Sequence, residues 1–257
     1  MTRDGSDAHV CVVACGGTIA SEPDAGGAAP AKTGSGLVAA GIHVLVRDPE
    51  PVAGGARGSI LDLMRMPALW AILPLMFVAY APAAALRGLW AGPYLSEIHG
   101  LDTGQVGQAV LVMGLAMIAG TLAYGPLDRI FRTRKWVIFT GNLICALAVL
   151  ALMIWPDDSL ALSIALLAVI GFSGASFPVI IAHGKALFPA NLAGRGVTLL
   201  NLFGVGGVGV AQFASGPLHA AAAGAGPLAG YVAIFALFGG AMLAGLAVYL
   251  FSRDSMG

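Results

Sequence analysis

VGQAVLVMGLAMIAGTLAY (residues 106–124), GPLDRIFRTRK (125–135) and WVIFTGNLICALAVLALMI (136–154) are consecutive blocks, and the contrast between them decides the fold. The outer two contain no Asp, Glu, Lys or Arg, whereas the block between them holds Asp128, Arg129, Arg132, Arg134 and Lys135. A hydrocarbon core about 30 Å thick is crossed by about 20 helical residues at a rise of 1.5 Å each. The two apolar blocks are therefore read as membrane spans, and the charged block as the loop where the chain returns to water.

Four more segments follow the same rhythm: Pro67 to about Trp90, Leu160 to about Ala182, Val197 to about Ser215, and Leu228 to Phe251. Lipid satisfies no backbone N–H or C=O group. Segments of this length without period-two alternation are therefore helices rather than barrel strands. Composition agrees. Of the 257 residues 58% are hydrophobic and 10% charged, against roughly 25% charged in soluble domains. A water-soluble globule and a disordered chain are both excluded. The net charge of zero offers no field for nucleic acid. Residues 1–66 nevertheless hold 12 of the 26 charges. The sequence thus predicts an all-α membrane domain of six transmembrane helices over 66–257. A mostly disordered segment, 1–65, precedes it, with Ala-, Gly- and Pro-rich linker character over 22–58.

Orientation follows from Lys and Arg in the connections. Arg57 and Arg65 precede the first span, Arg129, Arg132, Arg134 and Lys135 fill the second connection, Lys185 and Arg195 the fourth, and Arg253 the tail. The odd connections carry Glu97, Asp102, Asp157, Asp158 and His219. Both termini are expected in the cytoplasm of a multi-pass inner-membrane protein.

Gly125, Asp128 and Arg129 followed by the basic cluster through Arg134 and Lys135 form a loop between the second and third spans. This loop resembles the signature loop of the major facilitator superfamily, with one residue fewer between Gly and Asp and with Phe131 where a Gly is usual. The Pro-rich first span, the polar stretch Phe188 to Gly196 and the Gly-rich fifth span extend the resemblance over about 60–253, as the C-terminal half of such a transporter. The resemblance implies secondary transport of a small solute by alternating access. It also implies a gating clamp in which Asp128 and Arg129 hold a neighbouring helix end. A plain topology signal accounts for the same basic residues. Substrates of that family sit between two halves, so a homodimer or a separately encoded half is implied as partner. The alternative is a truncated or chimeric membrane fragment without activity.

Upstream, His9 to Ser21 contains Cys15-Gly16-Gly17-Thr18 and resembles the opening strand and nucleophile loop of bacterial asparaginases, in which Thr18 would be the nucleophile. That chemistry needs a second Thr, an Asp, a Lys and a whole α/β domain, for which no room exists before the first span. A junction of two unrelated coding segments is expected, and no enzyme activity. Cys11, Cys15 and Cys145 fit no redox or metal spacing, the histidines are scattered, and no phosphate-binding loop is present, so no cofactor, metal or ATP drive is implied.

Polar side chains within spans are costly there and mark cavities or helix contacts. Arg87 has two readings: a ligand for an anionic substrate or missing-half carboxylate, or a cation snorkelling to the interface beside Trp90 and Tyr94. Tyr80, Asn201 and Gln212 are further substrate-binding candidates, and they and Asn142 also suit hydrogen bonds between helices. Gly204, Gly206, Gly207 and Gly209 permit bending or close packing. Gly171 with Ala175, and Gly240 with Ala244, suit tight helix contacts. No Asp or Glu lies within the predicted spans to carry a proton, which favours uniport or coupling through another half.

Overall fold

The computed structural model describes residues 21–24, 27–30 and 59–255, and the chain divides into two units, Met1–Ala56 and Arg57–Gly257. In the first unit, β1 (Ser21–Asp24) pairs antiparallel with β2 (Gly27–Pro30), Ser21 opposite Pro30 and Asp24 opposite Gly27. This ladder falls in the stretch expected to be disordered. Its backbone hydrogen bonds are not something composition registers. The asparaginase-like residues 9–20, Thr18 included, lie outside the described residues.

The second unit is helical throughout its described residues. It opens with α1 (Ile60–Met64), several residues before the expected boundary at 65/66, because Ser59 and Asp62 form a capping box: the Leu61 amide donates to Ser59 Oγ at 3.3 Å and the Ser59 amide to Asp62 Oδ2 at 2.7 Å. Six stretches are long and apolar enough to cross a bilayer: Pro67–His99, Thr103–Phe131, Arg134–Ile154, Leu160–Ala186, Ala190–Ala223 and Pro227–Tyr249. The chain is a multi-pass membrane protein.

The first span is built in pieces: α2 (Pro67–Trp70), α3 (Leu73–Val78), α4 (Ala81–Ala85), a π turn over Leu86–Trp90, and α5 (Ala91–His99). Pro67, Pro74 and Pro82 each stand in the first turn of a piece, where a proline's missing N–H is harmless. The second and third spans are single helices, α6 (Thr103–Phe131) and α7 (Arg134–Ile154), capped by Asp102 and Thr133. The fourth is α8 (Leu160–Gly174) and α9 (Phe177–Ala186), interrupted at Ala175 and Ser176. A 3-10 turn over Ala190–Leu192 leads into α10 (Ala193–Ala223), and α11 (Pro227–Tyr249) completes the bundle.

Four ends run further than the sequence reading placed them, the fourth span's by one turn, to Ala186 instead of about Ala182. The first span continues past Trp90 to His99 through the π turn. The helix α6 continues through Gly125 and Pro126, so Asp128 and Arg129 belong to its last turns instead of a loop. Likewise α10 passes Pro217 and adds two turns beyond Ser215. Proline in a membrane helix forfeits one backbone bond without ending the helix when neighbouring elements re-satisfy the freed group.

Glycines set the closest approaches. A Cβ on Gly207 would overlap the Phe77 carbonyl oxygen, and one on Gly204 would meet the Met76 methyl of the first span and the Phe177 ring of the fourth, so α10 lies directly on both spans. Gly171 would place a Cβ 2.7 Å from the Met113 carbonyl oxygen, joining the second and fourth spans as the small-residue spacing suggested. Gly206, Gly209 and Gly240 instead face open space. The expected contact through Gly240 is thus taken by its neighbours: Gly239 lies against Leu150, and Gly245 against Val78. Buried Asn142 on α7 donates to Ser176 Oγ at 3.0 Å, tying the third span to the interruption in the fourth.

Candidate functional site

Polar side chains gather at the two ends of the bundle. At the basic end, the junction between α6 and α7 meets the end of α11. Lys135 Nζ donates to the Leu250 carbonyl at 2.7 Å, the Arg134 amide to Asp254 Oδ1 at 3.2 Å, and Thr133 Oγ1 to Asp254 Oδ2. Arg134 Nε also donates to Asp128 Oδ2 at 3.0 Å, while Asp128 Oδ1 is buried without a partner. The residues expected to clamp a helix end are therefore divided. Asp128 secures Arg134, Arg129 is exposed, Gly125 faces open space, and the helix end is held by Thr133, Lys135 and the Arg134 backbone.

His183, fully buried on α9, joins this cluster. The Arg253 carbonyl can only accept, so His183 Nε2–H donates to it at 2.8 Å, leaving Nδ1 to accept from the Tyr249 hydroxyl at 2.6 Å. The segment 249–254 is thus bonded to the start of the third span and the end of the fourth. Asp254→Ala is expected to release it, raising deuterium uptake across 249–255 in hydrogen-exchange mass spectrometry while α7 stays protected; unchanged uptake would mean that Lys135 and His183 suffice.

At the opposite, aromatic end, the first, fourth, fifth and sixth spans converge. Trp90 Nε1 donates to Ser215 Oγ at 2.8 Å, and Tyr231 donates to Glu97 Oε2 at 2.8 Å. The Tyr94 hydroxyl donates to the Pro156 carbonyl and lies 2.8 Å from Ser163 Oγ, which is 3.0 Å from His99 Nε2. His219 stacks on Trp90 with ring centroids 4.8 Å apart and meets Tyr231 edge-on at 4.8 Å. Sequence reasoning placed Glu97 and His219 in connections because the apolar runs were ended at about Trp90 and Ser215. The continuing helices bring both into the cluster.

The four substrate-binding candidates occupy two levels. Tyr80 packs on Phe177, centroids 5.2 Å apart, and Asn201 donates to its own helix at Val197, one turn before Gly204, which touches the same Phe177 ring. Arg87 and Gln212 lie nearer the aromatic end, about 16 Å further along α10 at helical rise. Gly88, next to Arg87, faces Gln212: a Cβ there would lie 3.9 Å from Gln212 Nε2. Arg87 sits in the π turn, is exposed, and makes no hydrogen bond or ion pair among the described residues. A separate groove of about 390 Å³ between the first, fifth and sixth spans is lined by Trp70, Phe77, Phe203 and Val248, and offers nothing polar to a charged ligand.

Burial divides the spans. Of the most apolar window of each, 17% is buried in the second and 22% in the fifth, against 44% or more in the other four. No protein-family model and no curated protein matches the chain.

Proposed function

We propose that the helical unit is one half of a secondary transporter of the major facilitator type. It would move a small solute by alternating access in the inner membrane with both termini cytoplasmic, and be completed by a second half. The observation that carries this reading is the shallow burial of the second and fifth spans, whose faces hold polar groups such as Gln108, Thr121, Asn201 and Gln212. Such groups are costly against lipid and favour a protein partner or a water-filled cavity. Two further features support it. The basic junction of α6 and α7 locks onto the end of α11, which makes the basic end move as a unit. The segmented first span exposes Arg87 at a π turn, a geometry frequent at functional sites.

The second half in this reading is another copy of the chain. Light scattering of the purified chain in nanodiscs should return twice the 25.9 kDa chain mass after subtraction of lipid and scaffold. A monomer would remove the two-copy arrangement and turn the reading to an inactive fragment or a separately encoded partner.

A further inference from the structure

Two cavities lie in line between the first, fifth and sixth spans. The groove of about 390 Å³ bounded by Trp70 and Val248 shares Phe77, Val78 and Ala241 with a second cavity of about 130 Å³, which continues past Pro82, Ala214 and Leu237. The two form one crease. Along the unbroken helix α11 its wall runs from Val248 to Leu237, eleven residues, or about 16 Å at helical rise. Glycines set its floor, since Gly207 seats α10 on the Phe77 backbone and Gly245 seats α11 on Val78. Among the described residues no charged, amide or hydroxyl side chain lines either cavity. The one N–H in the walls, on the Trp70 indole, is committed to the Met64 carbonyl at 2.8 Å.

Water finds no partners in such a crease, whereas a hydrocarbon chain needs none. Apolar groups inside a bilayer gain nothing by leaving lipid, so attachment there comes from packing. A methylene chain in the crease touches three helices, against one on an open face, and each contact adds dispersion attraction. The length is that of one leaflet, since half of a core about 30 Å thick is about 15 Å. The depth agrees. Trp70, half exposed and bonded through its N–H, suits the boundary between headgroups and hydrocarbon. From that level the crease runs inward, and it stops at Leu237, ten residues short of Pro227, where α11 begins at the aromatic end.

Cations frame the mouth. Arg65 follows Met64, the residue that holds the Trp70 indole, and its partner Asp62 is 4.0 Å away with both side chains exposed. Lys135 Nζ lies on the Leu250 carbonyl, two residues past Val248. Arg253 is exposed, and its side chain makes no hydrogen bond or ion pair among the described residues. The nearby carboxylate of Asp254 is already engaged by Thr133 and the Arg134 amide. Basic residues at the end of an apolar cleft between spans suit an anionic headgroup. We propose that the crease binds one acyl chain of an anionic phospholipid from the leaflet at the basic end, with its headgroup phosphate drawn to Arg65 and Arg253. The site does not depend on whether the chain transports a solute.

The test takes the whole chain from nanodiscs of equal parts phosphatidylglycerol and phosphatidylcholine with identical acyl chains into a mass spectrometer, under conditions that keep bound lipid attached. One phosphatidylglycerol per chain is expected, retained about tenfold over phosphatidylcholine. Ala241→Phe puts a ring where the two cavities join and should cut retention of either lipid about tenfold. Ala165→Phe, on an exposed face of α8 away from the crease, should leave retention unchanged. Arg65→Gln combined with Arg253→Gln should keep one lipid per chain and erase the preference. Full retention by Ala241→Phe overturns the crease as the site. Equal retention of the two lipids by the parent chain, or a preference that survives loss of both arginines, overturns the headgroup contact. A parent chain without lipid overturns the whole proposal, and a lipid-free dimer would give the crease to a second copy. Should Ala241→Phe fail to fold, Ala244→Phe replaces it, because that exposed position borders the crease nearer its mouth.

Discussion

Gly207→Ala is expected to lower the stability of the helical unit by about 3 kcal/mol or more, since overpacking against a rigid neighbour sits at the upper end of such costs. The added methyl would overlap the Phe77 carbonyl oxygen, and that oxygen belongs to backbone rather than to a side chain able to rotate away. Relief requires α10 to withdraw from the first span along the line of Gly204 and Gly207. Gly209→Ala, two residues on in the same helix, meets nothing within 4 Å. It should be neutral or stabilising by up to about 1 kcal/mol from helix propensity. Unfolding midpoints in mixed micelles of rising dodecyl sulfate content would compare the two. Equal midpoints would show that the contact at Phe77 does not hold the spans together.

Loss of solute uptake by at least tenfold, with membrane insertion intact, is the outcome expected for Arg87→Ala. Arg87 is exposed at the π turn with no partner among the described residues, and the Gly88 beside it leaves its flank open toward Gln212. A guanidinium so placed suits a carboxylate or phosphate, which it binds in a fork. The assay is counterflow in proteoliposomes with a panel of small labelled anions, alongside neutral solutes as controls. Arg87→Lys should retain part of the uptake, because charge survives while the fork is lost. Full uptake by Arg87→Ala would assign the residue to the membrane interface.

What the sequence disclosed follows from which forces leave a local trace. Six apolar runs, the basic block at 128–135 and the small residues at Gly171 and Gly207 are visible because each is a composition or spacing signal. Where each helix stops was less visible. The apolar runs stop at Tyr124, about Trp90 and about Ser215, yet the helices continue through Pro126, Pro93 and Pro217. Errors at those ends propagated to the site: Glu97 and His219 looked like connection residues, and Asp254 like part of a tail, so neither polar cluster was anticipated. Trp90 was noticed only as an interfacial aromatic. Its bond to Ser215, 125 residues away, has no local signature. The hairpin of β1 and β2 escaped for a related reason, being a matter of backbone pairing in a stretch whose side chains carry no pattern.

The broken first span bears on how the protein is made. Its pieces α2, α3 and α4 are 4, 6 and 5 residues long, too short to be stable helices alone, and 61% of its most apolar window is buried. That burial is supplied largely by α10 and α11, which leave the ribosome well after it. Interrupted backbone is tolerated at membrane depth only when protein or water covers it. The span of residues 67–99 must therefore await spans synthesised more than 90 residues after it. Until α11 arrives, the nascent chain would depend on the insertion machinery to shelter residues 67–90, and a ribosome stalled before residue 227 should leave that stretch open to proteolysis or membrane-impermeant labels.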